Sequence, residues 1–388
     1  MHNNPNNYQK FTEFVHSIYE DDFVPLHRPL FSEDEKRRIT ECIDSNFVSS
    51  AGKEIEVFEG AIADFTGAKY AIATVNGTAA LHVALHLAGV SAGSEVITQA
   101  VSFVATANAV SYCRAAPVFV DIDHDSMSMS PEALIAFLQS NVEMRHRQAF
   151  NKVSGARISA CVPMHTFGHP ARIDEIADIC NSHNIALVED CAESLGSYVE
   201  GRHTGLAGKF ATFSFNGNKI ITTGGGGMII TDDEELAQRA KHITTTSKQP
   251  HAYEYFHDEV GFNYRMPNLN ASMGLAQMEK LDDFLTKKRI VAEGYRDFFA
   301  SSPAKFIWER EGTQANFWLN GVILEGLEAR NAFLEYTNEA GVMTRPMWQL
   351  LNRLPMYEKC ETDALTHSHY LAERLVNIPS SVPESKIR

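Results

Sequence analysis

No stretch of this 388-residue chain is apolar over the length of a membrane span, which leaves no candidate for a helix crossing a bilayer. Its first residues, Met1-His-Asn-Asn-Pro-Asn-Asn-Tyr8, lack the basic stretch and apolar run of a secretory signal, so a reducing cytoplasm is the expected location. The six cysteines are scattered without CxxC spacing, which argues against a zinc site and against a disulfide framework. Basic residues are in deficit: 34 Lys and Arg stand against 49 Asp and Glu, a formal net charge of -15. That field disfavours sequence-independent binding to nucleic acid, and an anionic substrate must be held by local basic groups and backbone amides. The glycine cluster at 224–227 has neither the GxxxxGK[ST] order of a P-loop nor GxGxxG spacing between a strand and a helix.

What is present is an ordinary globular composition, 44% hydrophobic and 21% charged, on a chain longer than one core usually supports. After a start that reads as disordered, Phe11, Phe14, Val15, Ile18 and Tyr19 fall at helical spacing and predict a short amphipathic helix packed on the body of the protein. Ser32-Glu-Asp-Glu35 is a capping box that opens a helix to about residue 46. Helix and strand signals then alternate: helices to 65, over 78–87, from 105, from Pro131 and from 173, and strands over 95–98, 117–120, 158–162, 186–188, 211–215 and 228–230. Such alternation predicts an α/β domain with a mostly parallel sheet, whose ligands bind at the carboxyl ends of the strands. A long helical stretch over 269–299 leads into a smaller α+β unit with a strand over 316–324 and a helix from 327. The expected organisation is an arm and helix over 1–31, a large domain over 32–285 and a small C-terminal domain over 286–388. Arg145-His-Arg147 reads as a solvated loop.

Chemistry-bearing residues gather at the strand ends. Lys219 follows the apolar strand around Phe213 and precedes the glycine cluster, while Asp190 closes the run Ile185-Ala-Leu-Val-Glu-Asp190. A primary amine near a hydroxyl and glycines, downstream of a carboxylate at a strand end, is what pyridoxal 5'-phosphate (PLP) chemistry needs. Taken singly, Lys219 could be a solvated surface lysine and Asp190 a helix N-cap. Asn76-Gly-Thr-Ala-Ala80 begins a helix whose amides, with Thr78, could hold a phosphate or simply cap. Phe103 could stack on a flat ring or lie in the core. His165 and His169 sit beside Gly168 and Pro170, which disfavours a metal-binding helix; a loop with one histidine near cofactor or substrate is expected, and no metal.

Across nearly its whole length the sequence resembles the sugar-nucleotide aminotransferases of PLP fold type I. The resemblance is carried by Phe47-Val-Ser-Ser-Ala-Gly-Lys53, Ala73-Thr-Val-Asn-Gly-Thr-Ala-Ala-Leu-His82, Glu189-Asp190, Ser214-Phe through Gly227, Phe262-Asn-Tyr-Arg-Met266 and Thr344-Arg-Pro346 with Trp348. Asp190-Cys-Ala-Glu-Ser-Leu-Gly196 and Thr-Thr-Gly-Gly-Gly-Gly-Met228 resemble the subgroup that aminates a UDP-linked 4-keto-6-deoxy-N-acetylglucosamine on routes to bacillosamine or legionaminic acid. The resemblance implies that Lys219 forms the internal aldimine, Asp190 pairs with the ring nitrogen, Phe103 covers the ring, and Gly77, Thr78 and Ser214 hold the phosphate. Asn263 is implied to reach that phosphate from the other subunit of a homodimer. Many relatives have glutamine where this chain has Glu193, so a glutamate beside the ring hydroxyl must be protonated or act as an acceptor. His27, Arg28, His165, Arg345 and Trp348 are the expected substrate contacts. The implied reaction is ping-pong transamination: L-glutamate leaves the cofactor as pyridoxamine 5'-phosphate, which aminates C4'' of the keto sugar.

Three other readings stand beside this one: the same chemistry on a GDP- or dTDP-linked sugar, a PLP-dependent sugar dehydratase, and a PLP-binding sensor. Dehydratase relatives replace the lysine by histidine, so Lys219 counts against the second. The -15 charge and the lack of a basic helical module count against the third.

Overall fold

In the computed structural model, which describes residues 5–384, the apolar runs of the first two-thirds of the chain pair into one seven-stranded sheet. Its strands are β1 Tyr70–Thr74, β2 Glu95–Gln99, β3 Ala116–Val120, β4 Ile158–Val162, β5 Ala186–Asp190, β6 Phe210–Ser214 and β7 Gly227–Thr231. They lie in the order β1-β7-β6-β5-β4-β2-β3. Only β7 runs against its neighbours; β6, β5, β4, β2 and β3 pair in parallel. Successive residues of one strand pack on opposite faces, as the period of two requires: Ile72 joins the core under helix Gly77–Leu87, whereas Ala73 joins the core under helices Lys53–Thr66 and Asn268–Met278. This mostly parallel sheet covered by helices is the expected architecture of fold type I.

A second, antiparallel sheet has the order β8-β9-β11-β10, from β8 Lys305–Phe306, β9 Asn320–Ile323, β10 Arg345–Pro346 and β11 Leu375–Ile378. Helix Leu281–Phe299 touches both cores, since Leu281 and Phe284 pack with the large sheet and Val291, Tyr295 and Phe299 with the small one. The N-terminal helix, Pro5–Tyr19, buries Tyr8, Phe11, Val15 and Tyr19 in the small-sheet core, where the Phe11 ring lies 5.1 Å from that of Phe333.

Several local expectations need correction. The long helix over 269–299 is two helices, Asn268–Met278 and Leu281–Phe299; Lys280 at the break sends its ammonium to Ser32 Oγ (3.0 Å) and to Glu35 in the capping box of helix Glu33–Asp44. The strand expected over 316–324 is shortened to Asn320–Ile323, because Phe317 adopts φ 50° and breaks the extended run. Arg145-His-Arg147 is solvent-exposed, as expected of a solvated loop, but the loop is the tip of a hairpin between strands Val142–Arg145 and Gln148–Asn151. His146 and Arg147 both have positive φ there, the two-residue geometry usually signalled by Asn-Gly, and Asn184 Nδ2 donates to the Arg147 carbonyl at 3.0 Å. The first four residues, expected to be disordered, lie outside the described residues. Because Phe11 is fully buried against the rings of Tyr295, Phe298, Phe299 and Phe333, Phe11→Ala should destabilise the fold by about 3–5 kcal/mol, measured as a lowered urea midpoint at unchanged slope.

Candidate active site

The strands that run together deliver their carboxyl ends to one cavity of about 350 Å³. Strand β1 is followed by Asn76, whose side chain caps helix Gly77–Leu87 by accepting from the Ala79 amide at 2.8 Å. The Gly77 and Thr78 amides are thereby first-turn groups without intrahelical acceptors, facing a cavity that Gly77, Thr78 and Ser214 line. The close approach of this helix start to the sheet tolerates no side chain. A Cβ on Gly77 would lie 2.8 Å from Ser214 Cβ, and one on Gly227 would lie 2.5 Å from the Asn76 carbonyl.

At the end of β5, Asp190 is almost fully buried. Its Oδ2 accepts from Thr106 Oγ1 at 2.7 Å, its Oδ1 from the Ala192 amide at 3.1 Å, and Thr106 is in turn tied to Ser102 Oγ at 2.7 Å. The carboxylate is oriented by neutral donors, and among the described residues no cation pairs with it; Lys219 is bound to a different carboxylate. Lys219 Nζ lies 3.2 Å from Glu193 Oε1 and 3.9 Å from the centroid of the Trp318 ring. Glu193 is enclosed, with Oε2 accepting from the Phe167 amide at 2.8 Å. Burial raises its carboxyl to about 7, although Lys219 and the Phe167 amide pull it down.

Phe103 is half exposed at the cavity mouth, which removes the reading of a core side chain; its ring is 6.3 Å from that of Trp348. The structure thus gathers Lys219, Asp190, Glu193, Gly77, Thr78, Ser214, Phe103 and Trp348 around one space. These groups fit PLP: a buried carboxylate for the ring nitrogen, an amine, an aromatic face, and a helix start for the phosphate.

Four expected substrate residues do not line this space. His165 is fully buried, with Nε2 3.1 Å from Glu189 and Nδ1 taking the Ala171 amide; Glu189 precedes Asp190 and points to the other face of β5. Arg28 is held by Asp21 at 2.5 Å, and Arg345 donates to Asn338 Oδ1 at 2.8 Å on the small sheet. His27 lies behind the wall, its ring 6.5 Å from Trp318 and both nitrogens buried without a partner; burial pushes its imidazole well below the ordinary value. His169 packs on Phe317, and burial lowers it to about 4. Asn263 is exposed and accepts from Arg265 Nε at 3.3 Å, away from this chain's cavity.

Reasoning from sequence missed Thr106, Asn218 and Trp318. Thr106 lies one helical turn beyond Phe103, a spacing that puts both on one face. Trp318 was readable only as strand core, yet two of the chain's three tryptophans line the cavity.

The profile of the DegT/DnrJ/EryC1/StrS aminotransferase family matches residues 29–384. GDP-perosamine synthase from Escherichia coli O157:H7 is 35% identical over 359 residues, covering 92% of this chain and 93% of that protein. The enzyme of that name from Vibrio cholerae is 34% identical over 360 residues, covering 92% and 94%. The aminotransferase TlmJ from Streptoalloteichus hindustanus superposes with a TM-score of 0.84 at 26% identity, covering 92% of this chain and 93% of that one.

The raised carboxyl of Glu193 has a consequence for stability. An acid at about 7 when folded and near 4.5 when unfolded binds more protons in the folded state, so stability is lost as pH rises from 4.5 to 7. In urea unfolding of the cofactor-free protein, Glu193→Gln should gain on the wild type by about 3 kcal/mol between about pH 5 and pH 8. A difference that stays flat over that range would show the carboxyl to be unperturbed.

Proposed function

This chain belongs to the DegT/DnrJ/EryC1/StrS aminotransferase family, and on that premise we propose that it transfers the amino group of L-glutamate to a GDP-linked 4-keto sugar. It is a PLP-dependent sugar aminotransferase of nucleotide-sugar biosynthesis. The two GDP-perosamine synthases that align over nine-tenths of its length support GDP over the UDP expected from the sequence phrases. The observation that carries the reading of the site is the meeting of Lys219, Asp190 and the Gly77–Thr78 helix start in one cavity.

In this reading PLP, when bound, supplies the electron sink that lets an amino group pass between two carbon skeletons. The chain's own residues do the rest. Asp190, fixed by Thr106, would face the ring nitrogen and keep it protonated. The Gly77 and Thr78 amides and the Thr78 and Ser214 hydroxyls hold the phosphate with dipoles rather than charge. Phe103 would cover one ring face, and Trp348 and Trp318, which line the same cavity, would wall the sugar side against water. Lys219 Nζ carries the proton that must leave one carbon and reach another, a role that needs the amine close and neutral in the reacting complex. Asn263 of a second copy completes the phosphate site, so the working unit is a homodimer.

The test is a visible-absorption titration of protein reconstituted with PLP. The cofactor band should fall on addition of L-glutamate and return with a GDP-linked 4-keto-6-deoxy sugar, with a smaller kcat/KM for the UDP-linked 4-keto-6-deoxy-N-acetylglucosamine. Preference for the UDP sugar would restore the reading of bacillosamine or legionaminic acid routes, and failure of both would reject the acceptor. Lys219→Ala should lose at least about 10²–10⁴ in turnover, the span that a positioned acid or base supplies.

A further inference from the structure

Both partners of the Lys219 amine are fixed by contacts that do not involve it. Phe167, at φ 56°, is held in the left-handed region and turns its amide onto Glu193 Oε2, 2.8 Å away. Trp318 donates from Nε1 to the Asn218 carbonyl at 2.6 Å, and its own carbonyl accepts from buried Lys288 at 3.2 Å. Asn316 joins the two arms: its Nδ2 donates to the Glu193 carbonyl at 2.8 Å, and its Oδ1 accepts from the Trp318 amide at 2.8 Å. Gly168, at φ +92°, makes room for this bridge, since a Cβ there would overlap Asn316 Oδ1. The Lys219 side chain is only 12% exposed between them.

Resting on the reading of Lys219 as the cofactor-bearing amine, we propose that Glu193 and Trp318 are positioning residues that form a cradle for Lys219 whenever its amine is not bonded to the cofactor. In transamination the lysine is released for half of the cycle. A free ammonium held by a carboxylate on one side and an indole face on the other stays ordered beside the reacting atoms. With its carboxyl raised by burial to about 7, Glu193 grips as an anion above that pH and loosens below it. The other charged or titratable groups around the cradle are Asp190, whose charge opposes ionisation of Glu193, and His27 and Lys288 behind Trp318. His27 is kept neutral by burial, and Lys288 spends its protons on the Trp318 and Ser380 carbonyls.

The experiment uses the full-length, cofactor-free protein and fluorodinitrobenzene, which consumes only neutral amines, with labelling of Lys219 and Lys288 followed by peptide mass spectrometry across pH. Glu193→Gln should raise the Lys219 labelling rate by about tenfold at about pH 8–9, where the wild-type Glu193 is an anion, and by less below pH 7, as expected for loss of a paired charge. Trp318→Leu should act in the same direction, whereas Trp318→Phe, which keeps a ring, should stay near wild type. Lys288 is fully buried and reports opening of the fold. Equal gains at Lys219 and Lys288, or no change at Lys219 in the Gln and Leu variants, would overturn the cradle. Addition of PLP to the wild type separates the two ideas: protection of Lys219 sustains the amine assignment even where the cradle fails, and lack of protection rejects that assignment whatever the variants do.

Discussion

The site depends on backbone approaching backbone at the carboxyl edge of the large sheet. Helix Gly77–Leu87 starts within contact of Ser214 and of the β7 strand that follows the glycine cluster, and neither Gly77 nor Gly227 has room for a methyl group. That proximity lets amides at a helix start serve the same cavity as the residues that follow β5 and β6. It also answers the charge problem. A chain at -15 repels anions, and Lys219 is the only basic side chain among the described residues lining the cavity, so a phosphate bound at the helix start would be held by oriented dipoles.

The small sheet supplies what the large one cannot, a wall opposite the strand ends. Trp318 lies just before β9 and Trp348 just after β10, so the aromatic side of the cavity is carried by the second sheet. The joint between them is polar and buried. Lys288, on the helix shared by both cores, reaches the Trp318 and Ser380 carbonyls, and burial lowers its ammonium to about 7. Asn316 ties the residues after β5 to the segment before β9. A satisfied buried network of this kind fixes one arrangement of the two sheets, because any slip would strand its donors and acceptors.

Much of this was legible because strand ends and helix starts leave local marks. An aspartate closing an apolar run, an Asn-Gly-Thr at a helix start and a lysine past a strand sit where neighbouring residues dictate, and their meeting follows from parallel strands delivering the same edge. Residues whose position depends on distant contacts were not legible. Trp318 reaches Lys219 only because Asn316 and Lys288 hold its backbone, and nothing near it in sequence says so. The basic tip at His146 and Arg147 adopted two left-handed residues without the usual glycine, so its hairpin was hidden. His165 misled for a different reason. A histidine at a strand end faces either the cavity or the other side of the sheet, and pairing with Glu189 put it on the other side.

The misplaced arginines narrow what the substrate can rely on. Arg28 pairs with Asp21 and Arg345 with Asn338, and among the described residues Lys219 is the only basic side chain lining the cavity, an amine that the proposed reaction would use for proton transfer. A nucleotide diphosphate would therefore find no charge partner other than Lys219 among the described residues lining this space. Its volume, about 350 Å³, lies at the low end of the range for small-molecule sites. In the proposed reaction a nucleotide diphosphate would lean on groups outside this space, and the second copy of the proposed dimer would be one source of them. If a second copy supplies those groups, the choice between GDP and UDP would be made by residues away from Lys219 and Asp190.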